Sequence, residues 1–412
     1  MGLSEVFARI DGYRHEVIEL QQGLVAIPAL SPDYGEPPEH TGEARKVRFL
    51  KEYLGRHGIS DLEEVLAPVE RVPGGVRPNL IARIPGRDRS RTVWVMAHTD
   101  VVPPGAMDKW RSDPWQLRVE GDLICGRGVE DNHQGLVAGV MAARALAETG
   151  TQPECDLALL FVADEECGSK FGIRYVLEQR NPFRPDDLIF VPDGGAADGS
   201  EIEVAEKSIM WIKFRTTGVQ AHASTPEKGK NAHRAGAHLI VALDRLHKKF
   251  DVSDPVFVPP ISTFEPTKKE ANVPNVNTIP GDDVFYLDCR ILPTFPLDEV
   301  EATVRKICRR IEKRFGVKVD FSFEQREQAA PPTSVDAPIV RKVAAAVQEV
   351  YRAEPRAIGI GGGTVAAYLR RIGLPCVVWS RMDETMHGPN ENARISNILG
   401  DAKVVAHVAL SH

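Results

Sequence analysis

The stretch DLALLFVADEECGSK, from Asp156 to Lys170, decides how the rest of the chain is read. Leu157 to Ala163 is an unbroken apolar run, the pattern of a strand covered on both faces. It ends in Asp164-Glu165-Glu166, three carboxylates in a row where the chain leaves the core. Like charges packed this closely repel one another, and burying one ionised carboxylate is costly unless something pairs with it. The stretch therefore poses two questions: which sheet the strand joins, and what meets its charge.

Working outward, strands and helices alternate. A helix-like TGEARKVRFLKEYLGRHG (41–58) leads through NLIARIPG (79–86) to a stronger strand, RTVWVMAHTDVVP (91–103). GRGVEDNHQGLVAGVMAARALAETG (126–150) turns helical in its second half, and a helix near Gly172–Gln179 precedes the strand in DDLIFVPDGG (186–195). Near-continuous apolar strands alternating with helices predict an α/β fold, a mostly parallel sheet with helices on both faces. After Asp193 the character changes. EKSIMWIKFRTTGVQAHAS (206–224) is a long alternating strand, followed by a helix (231–250), a strand in DVFYLDCRILP (283–293), an amphipathic helix (297–316) and VKVDFSFEQ (317–325). That is a β-α-β-β-α-β-like order, a four-stranded sheet backed by two helices. Segments 335–353 and 375–388 return to the first style. The expected organisation is a catalytic domain in two parts, 1–206 and 329–412, with an α+β domain inserted at 207–328.

Composition excludes several classes. At 412 residues the chain is long enough for two cores, and no apolar run approaches a membrane span. The N-terminal 24 residues intersperse charge through a helical period, which predicts a docked helix rather than a secretion signal. A net charge of −7 with no basic stretch argues against nucleic acid. Six scattered cysteines without a C-x-x-C pair fit reduced thiols, so a soluble cytoplasmic protein is expected.

In an open α/β sheet, ligand chemistry gathers at the carboxyl ends of the strands. Here those ends carry His98-Thr99-Asp100, Asp164-Glu165-Glu166, Asp193-Gly194-Gly195 and, after CVVWS, the loop RMDETMHG with His387; Asp131 stands ahead of the helix opened by GRGVEDN. Each motif alone is ordinary: an H-x-D at a strand end is often structural, and a DEE triplet is usually a solvated turn. The conjunction predicts divalent metal binding, since imidazole nitrogen and carboxylate oxygen are zinc's ligands. Two ions sharing one carboxylate and one water make a hydroxide at neutral pH, and an unligated carboxylate then serves as general base.

The motifs MAHTDVVP, GRGVEDN, ADEE, VPDGG, AHAS, NTIP followed by DCR, GGGTVAA and MHGPNE stand in an order that resembles the co-catalytic zinc amidohydrolases. That group includes acetylornithine deacetylase, succinyl-diaminopimelate desuccinylase, aminoacylase, carnosinase and glutamate carboxypeptidase. The resemblance implies a zinc-peptidase-like catalytic domain with a ferredoxin-like dimerisation domain, hence a homodimer. It implies two divalent ions, zinc or alternatively cobalt or manganese, with His98 and Asp193 on one, Glu166 and His387 on the other, and Asp131 bridging. Asp100 would hydrogen-bond His98, Glu165 would be the general base, and the peptide after Asp131 would be cis. His222 would reach a partner subunit's site and stabilise the oxyanion, Asn277 and Arg290 would hold the substrate's carboxylate, and backbone N–H groups of Gly363 and Thr364 would face substrate.

The chain departs from the family pattern at Asn132 and His133, where a second Asp and a Lys are common, and at Val365, where Asp is frequent. His133 is expected to be a solvated histidine at a helix N-terminus, Cys167 buried and inert, and Asp164 a local hydrogen-bonding residue. The expected activity is hydrolysis of the amide bond of an N-acyl amino acid or short dipeptide with a free carboxylate. The alternatives are an aminopeptidase acting on free amines and a catalytically silent metal-binding relative.

Overall fold

Cys155–Val162 is a strand in which every residue is buried, as an unbroken apolar run requires. The computed structural model, which describes residues 2–35 and 37–411, places it inside an eight-stranded sheet. The strand order is Asp61–Pro68, Val76–Ile84, Cys155–Val162, Asp88–His98, Leu188–Val191, Cys376–Val378, Glu201–Glu206, Arg356–Ile360. The four middle strands run parallel, with Val95 beside Leu159 and Phe190. Val76–Ile84 and Glu201–Glu206 run against them on either side.

Helices cover both faces. Trp94, Met96, Ala158, Leu160 and Val162 pack against Ile173, Val176 and Leu369 of the helices Ile173–Gln179 and Ala366–Arg371. On the opposite face, Val95 and Leu159 approach Gly139 of helix His133–Thr149 so closely that a Cβ there would meet them at 3.4 and 3.3 Å. Burying each such aliphatic side chain contributes about 1.5–3 kcal/mol. The N-terminal segment, read as one docked helix, forms two, Leu3–Asp11 and Arg14–Val25, parted around Gly12.

The chain divides into two compact units: Met1–Val204 with Thr333–Ala357 and Thr364–His412, and Ala205–Pro332 with Ile358–Gly363. The second unit has a fully antiparallel sheet in the order Thr263–Lys269, Asp282–Ile291, Ser208–Thr217, Lys318–Glu327. Alternate residues Met210, Ile212, Phe214, Phe285 and Leu287 turn inward and pack with Leu239, Val300, Val304 and Ile307 from helices Ala232–Leu243 and Leu297–Phe315. Nothing in the local pattern of Ile358–Gly363 announces that it joins this unit. It does so because Lys207 N donates to Ile360 O at 2.9 Å and because Gly359 leaves room for the Phe257 ring, 2.4 Å from where a Cβ would stand.

Candidate metal centre

The predicted strand ends converge within the first unit. Strand Asp88–His98 delivers His98, which is 2% exposed. After Val162 the chain turns through Asp164, whose φ of 63° is left-handed, into a single helical turn at Glu165–Cys167. Asp193 follows strand Leu188–Val191, and His387, also left-handed at φ 61°, lies in the loop after Cys376–Val378. Asp131 precedes helix His133–Thr149, and the Asp131–Asn132 peptide is cis.

These residues form two donor groups that share one carboxylate. His98, Asp131 and Asp193 each offer a ligand atom within 4.8 Å of the others, and so do Asp131, Glu166 and His387. Asp131 Oδ1 lies 2.8 Å from His98 Nε2, while its Oδ2 lies 3.0 Å from His387 Nε2. His387 Nε2 is also 3.3 Å from a Glu166 oxygen, and the other, Oε1, is buried without a hydrogen-bond partner. A buried carboxylate with one oxygen beside an imidazole nitrogen and the other without a partner suits a cation bound by nitrogen and oxygen donors. Glu165 belongs to neither group. The His387 side chain is 54% exposed and that of His98 1%, so the centre opens to solvent on the His387 side.

The protein fixes the state of these donors. His98 Nδ1 lies 2.9 Å from the carbonyl oxygen of Asp100, which can only accept, so Nδ1 carries a proton and Nε2, facing Asp131, is the nitrogen presented to a cation. The Asp100 carboxylate is slightly farther from Nδ1, at 3.5 Å. Its two oxygens instead accept the main-chain N–H groups of Glu165 and Glu166, each at 3.1 Å. Burial raises the Glu165 carboxyl well above its ordinary range, and the neighbouring carboxylates of Asp193 and Glu166 add to this against the opposing pull of His98. Asp193 is pushed up to about 7, first by burial and then by Asp131. For Asp131, burial is outweighed by the two histidines, which hold it well below the usual carboxylate range. His387 is raised to about 10 by hydrogen bonds to Asp131 and Glu166. So much negative charge around two imidazoles is the electrostatic signature of a site that wants cations.

Several supporting residues were not singled out by their sequence context. Asp164 is held by Arg77 at 2.6 Å, and Arg77 also makes a two-pronged contact with Glu43 at 2.5 and 2.8 Å, all three being buried. Strand Val76–Ile84 also carries Asn79 and Arg83, so Arg77 did not stand out there as the one charged residue of an apolar run. His133 is not solvated as expected but 1% exposed. Its Nε2 lies 2.8 Å from the buried Lys46 ammonium, which also donates to Thr99 O at 2.8 Å. Gly128 packs over the ring, 2.9 Å from Cε1 to where a Cβ would stand. Burial lowers the Lys46 ammonium to about 7 and, with Lys46, carries His133 well below its ordinary value. Cys167 is half-buried, and burial raises its thiol.

His222, Asn277 and Arg290 belong to the second unit. His222 lies in the short strand Ala221–His222, paired with Thr278, and Ala223 N donates to Asn277 O at 2.8 Å, so His222 and Asn277 are neighbours. The exposed His222 ring accepts the N–H of Ser224 at Nδ1, 3.2 Å away, which leaves Nε2–H as an outward donor. Arg290 donates to both oxygens of Asp288, at 2.8 and 3.1 Å, and to Gly361 O at 2.8 Å, with its guanidinium 5.7 Å from the Trp211 ring. Gly363 ends the second unit and Thr364 resumes the first, where its Oγ1 accepts from Ala366 N at 3.2 Å.

Comparison with known proteins bears on this geometry. The sequence profile of Peptidase family M20/M25/M40 matches residues 94–411. An uncharacterised metallohydrolase of Methanococcus maripaludis is 36% identical over 407 residues, spanning 94% of this chain and 97% of that protein. A succinyl-diaminopimelate desuccinylase of Methylocella silvestris is 26% identical, covering 97% and 98%. Human carnosine dipeptidase 1 shares the fold with a TM-score of 0.73 at 18% identity, covering 99% of this chain and 98% of that one.

Proposed function

The chain belongs to peptidase family M20/M25/M40 and is a hydrolase of amide or peptide bonds; from that premise we propose that it is a dinuclear metal-dependent deacylase or dipeptidase. Its substrate in this reading is an N-acyl amino acid or short dipeptide with a free carboxylate. The observation that carries the proposal is Asp131, which offers one oxygen to each of two donor groups while Glu165 stands beside them in neither.

His98 and Asp193 would hold one divalent ion, Glu166 and His387 the other, and Asp131 both. Zinc fits the donor set, and cobalt or manganese accepts similar ligands. Divalent ions held there supply the Lewis acidity that activates water and polarises an amide carbonyl. Glu165 takes a proton from the attacking water and returns it to the departing nitrogen, so the amide becomes a carboxylate and an amine. Its raised proton affinity suits both transfers. Asp100 holds His98 by its carbonyl and the Glu165-Glu166 turn by its carboxylate. His222 Nε2–H donates to the oxyanion, and Asn277 and Arg290 hold the substrate's carboxylate. The second unit serves as the dimerisation domain in this reading, and His222 acts on a partner copy's substrate. Six cysteines, all present as thiols rather than disulfides, support a cytoplasmic location.

A hydrolysis screen over N-acyl amino acids, dipeptides and free-amine peptides, with zinc, cobalt, manganese and a chelator control, tests the reading. Metal-dependent release from blocked substrates supports it. Activity on free-amine peptides alone would replace it with an aminopeptidase, and metal binding without turnover would replace it with a silent relative.

A further inference from the structure

Two buried glutamates whose carboxylates lie outside both donor groups connect the loops carrying Asp131 and His387. Glu391, four residues past His387 in MHGPNE, turns its carboxylate onto the Asp131 loop. Its Oε1 accepts the main-chain N–H groups of Glu130 and Asp131, each at 3.0 Å. Its Oε2 accepts the N–H of Gly128 at 3.0 Å and Nη1 of Arg127 at 2.6 Å. Glu130, immediately before Asp131, reaches the opposite way. Its Oε1 accepts the N–H of Asp383 at 2.7 Å, and its Oε2 the N–H of Thr385. Thr385 Oγ1 lies 2.7 Å from that Oε2 and accepts the N–H of Asn392 at 2.9 Å. Glu130, Glu391 and Arg127 are each at most 1% exposed.

Each loop thus supplies a carboxylate that gathers the other loop's backbone donors. Neither loop is a helix or strand where those donors sit, so their N–H groups have no ladder to join and these carboxylates satisfy them. Charge-assisted contacts of this kind are about twice as strong as neutral ones and set direction as well as distance. Among the described residues, the two loops also carry the only donors contributed to the Asp131–Glu166–His387 group from outside the Glu165–Cys167 turn.

We propose that Glu130 and Glu391 form a reciprocal clamp whose function is to hold Asp131 and His387 at the separation a divalent ion needs. They are positioning residues for the ion at Asp131, Glu166 and His387, and they act without touching metal or substrate. This rests on the two-ion reading above.

The test is spectroscopic titration of metal-free protein with cobalt(II), with calorimetry as a second readout, for wild type, Glu391→Gln, Glu130→Gln and the double variant. A carboxamide keeps the shape but turns an NH2 toward backbone donors. Wild type is expected to bind two ions. Each single variant should lose about tenfold or more in affinity for the ion at Glu166 and His387, with a smaller loss for the other ion, which shares Asp131 but not the His387 loop, in line with losses on removing a ligand's support. The double variant should lose less than the product of the singles, because either break frees both loops. Should the glutamine variants fail to fold, Thr385→Val and Thr385→Ser give the answer. The valine variant should weaken one ion and the serine variant restore it. Equal weakening of both ions, or unchanged affinity in folded variants, overturns the clamp while leaving the two-ion reading intact. Wild type that takes up no more than one ion overturns the two-ion reading itself.

Discussion

Glu165 donates its main-chain N–H to Oδ1 of Asp100 at 3.1 Å, while its own carboxylate stays out of both donor groups. The proposed base is thereby held by its backbone, with its side chain outside the donor groups. The neighbouring N–H of Glu166 goes to Oδ2 of the same aspartate, so one buried carboxylate sets the turn that separates the proposed ligand from the proposed base. Glu165→Gln should lower kcat by about a hundredfold or more, the range for removing a general base, with metal content by elemental analysis unchanged. Asp100→Asn should do something different. Its NH2 faces an N–H, leaving a buried donor unsatisfied at a cost of about 1–3 kcal/mol, so chemical denaturation should show lost stability together with lost metal. Full turnover in Glu165→Gln would remove the assigned base.

Removing the metal should destabilise the first unit, because Asp131, Glu166 and Asp193 then face one another with only histidines between them. An ion at a hundred times its dissociation constant stabilises by about 2.7 kcal/mol. A chelator should therefore lower the thermal midpoint and abolish hydrolysis, and zinc or cobalt should restore both. A melting curve indifferent to chelator would count against any tightly held ion.

Arg290 should govern substrate affinity more than chemistry. Asp288 and Gly361 use three of its donors and orient it, and a guanidinium has more to offer. Lysine cannot reproduce a planar fork, so Arg290→Lys should raise KM about tenfold for substrates with a free carboxylate and leave their amide-capped analogues unchanged. Equal effects on both kinds of substrate would show that Arg290 does not read the carboxylate.

The acid side of the stability profile should carry a contribution from Glu148, remote from the metal centre. Burial opposes its charge, but Arg144 and Arg9, with the Tyr13 hydroxyl at 2.9 Å, outweigh it and hold the carboxyl at about 2. A depressed acid stabilises the fold in full above its unfolded value near 4.5, and the contribution fades as pH falls from there toward 2. Its side chain is 22% exposed, so screening leaves about 1–2 kcal/mol. Glu148→Gln should therefore be less stable than wild type in urea at pH 6, with the gap narrowing at pH 4 and pH 3. A constant gap would mean that the interaction is not ionic.

Much of the centre was legible because chemistry and chain direction coincide. Apolar runs mark strands, and in a parallel sheet their carboxyl ends must share one edge, so His98, Glu166 and Asp193 could be grouped before any coordinates. His133 was misread because helix N-termini are usually wet; whether this one is depends on Lys46 and Gly128, which belong to other elements. Arg77, Glu130 and Glu391 escaped notice for the same reason. A lone charged residue reads as solvated until its partners are known.

The sequence by itself determined the alternation of strands and helices, the β-α-β-β-α-β insertion and the residue types at each strand end. Those follow from periodicity and from the cost of burying polar groups, which are local properties. Only the tertiary structure decided how the stretch Asp164-Glu165-Glu166 divides. Asp164 turns inward to Arg77, Glu166 joins Asp131 and His387, and Glu165 remains in neither donor group. Three adjacent carboxylates have nearly identical intrinsic chemistry, so their differences arise only from the charges that folding brings to each.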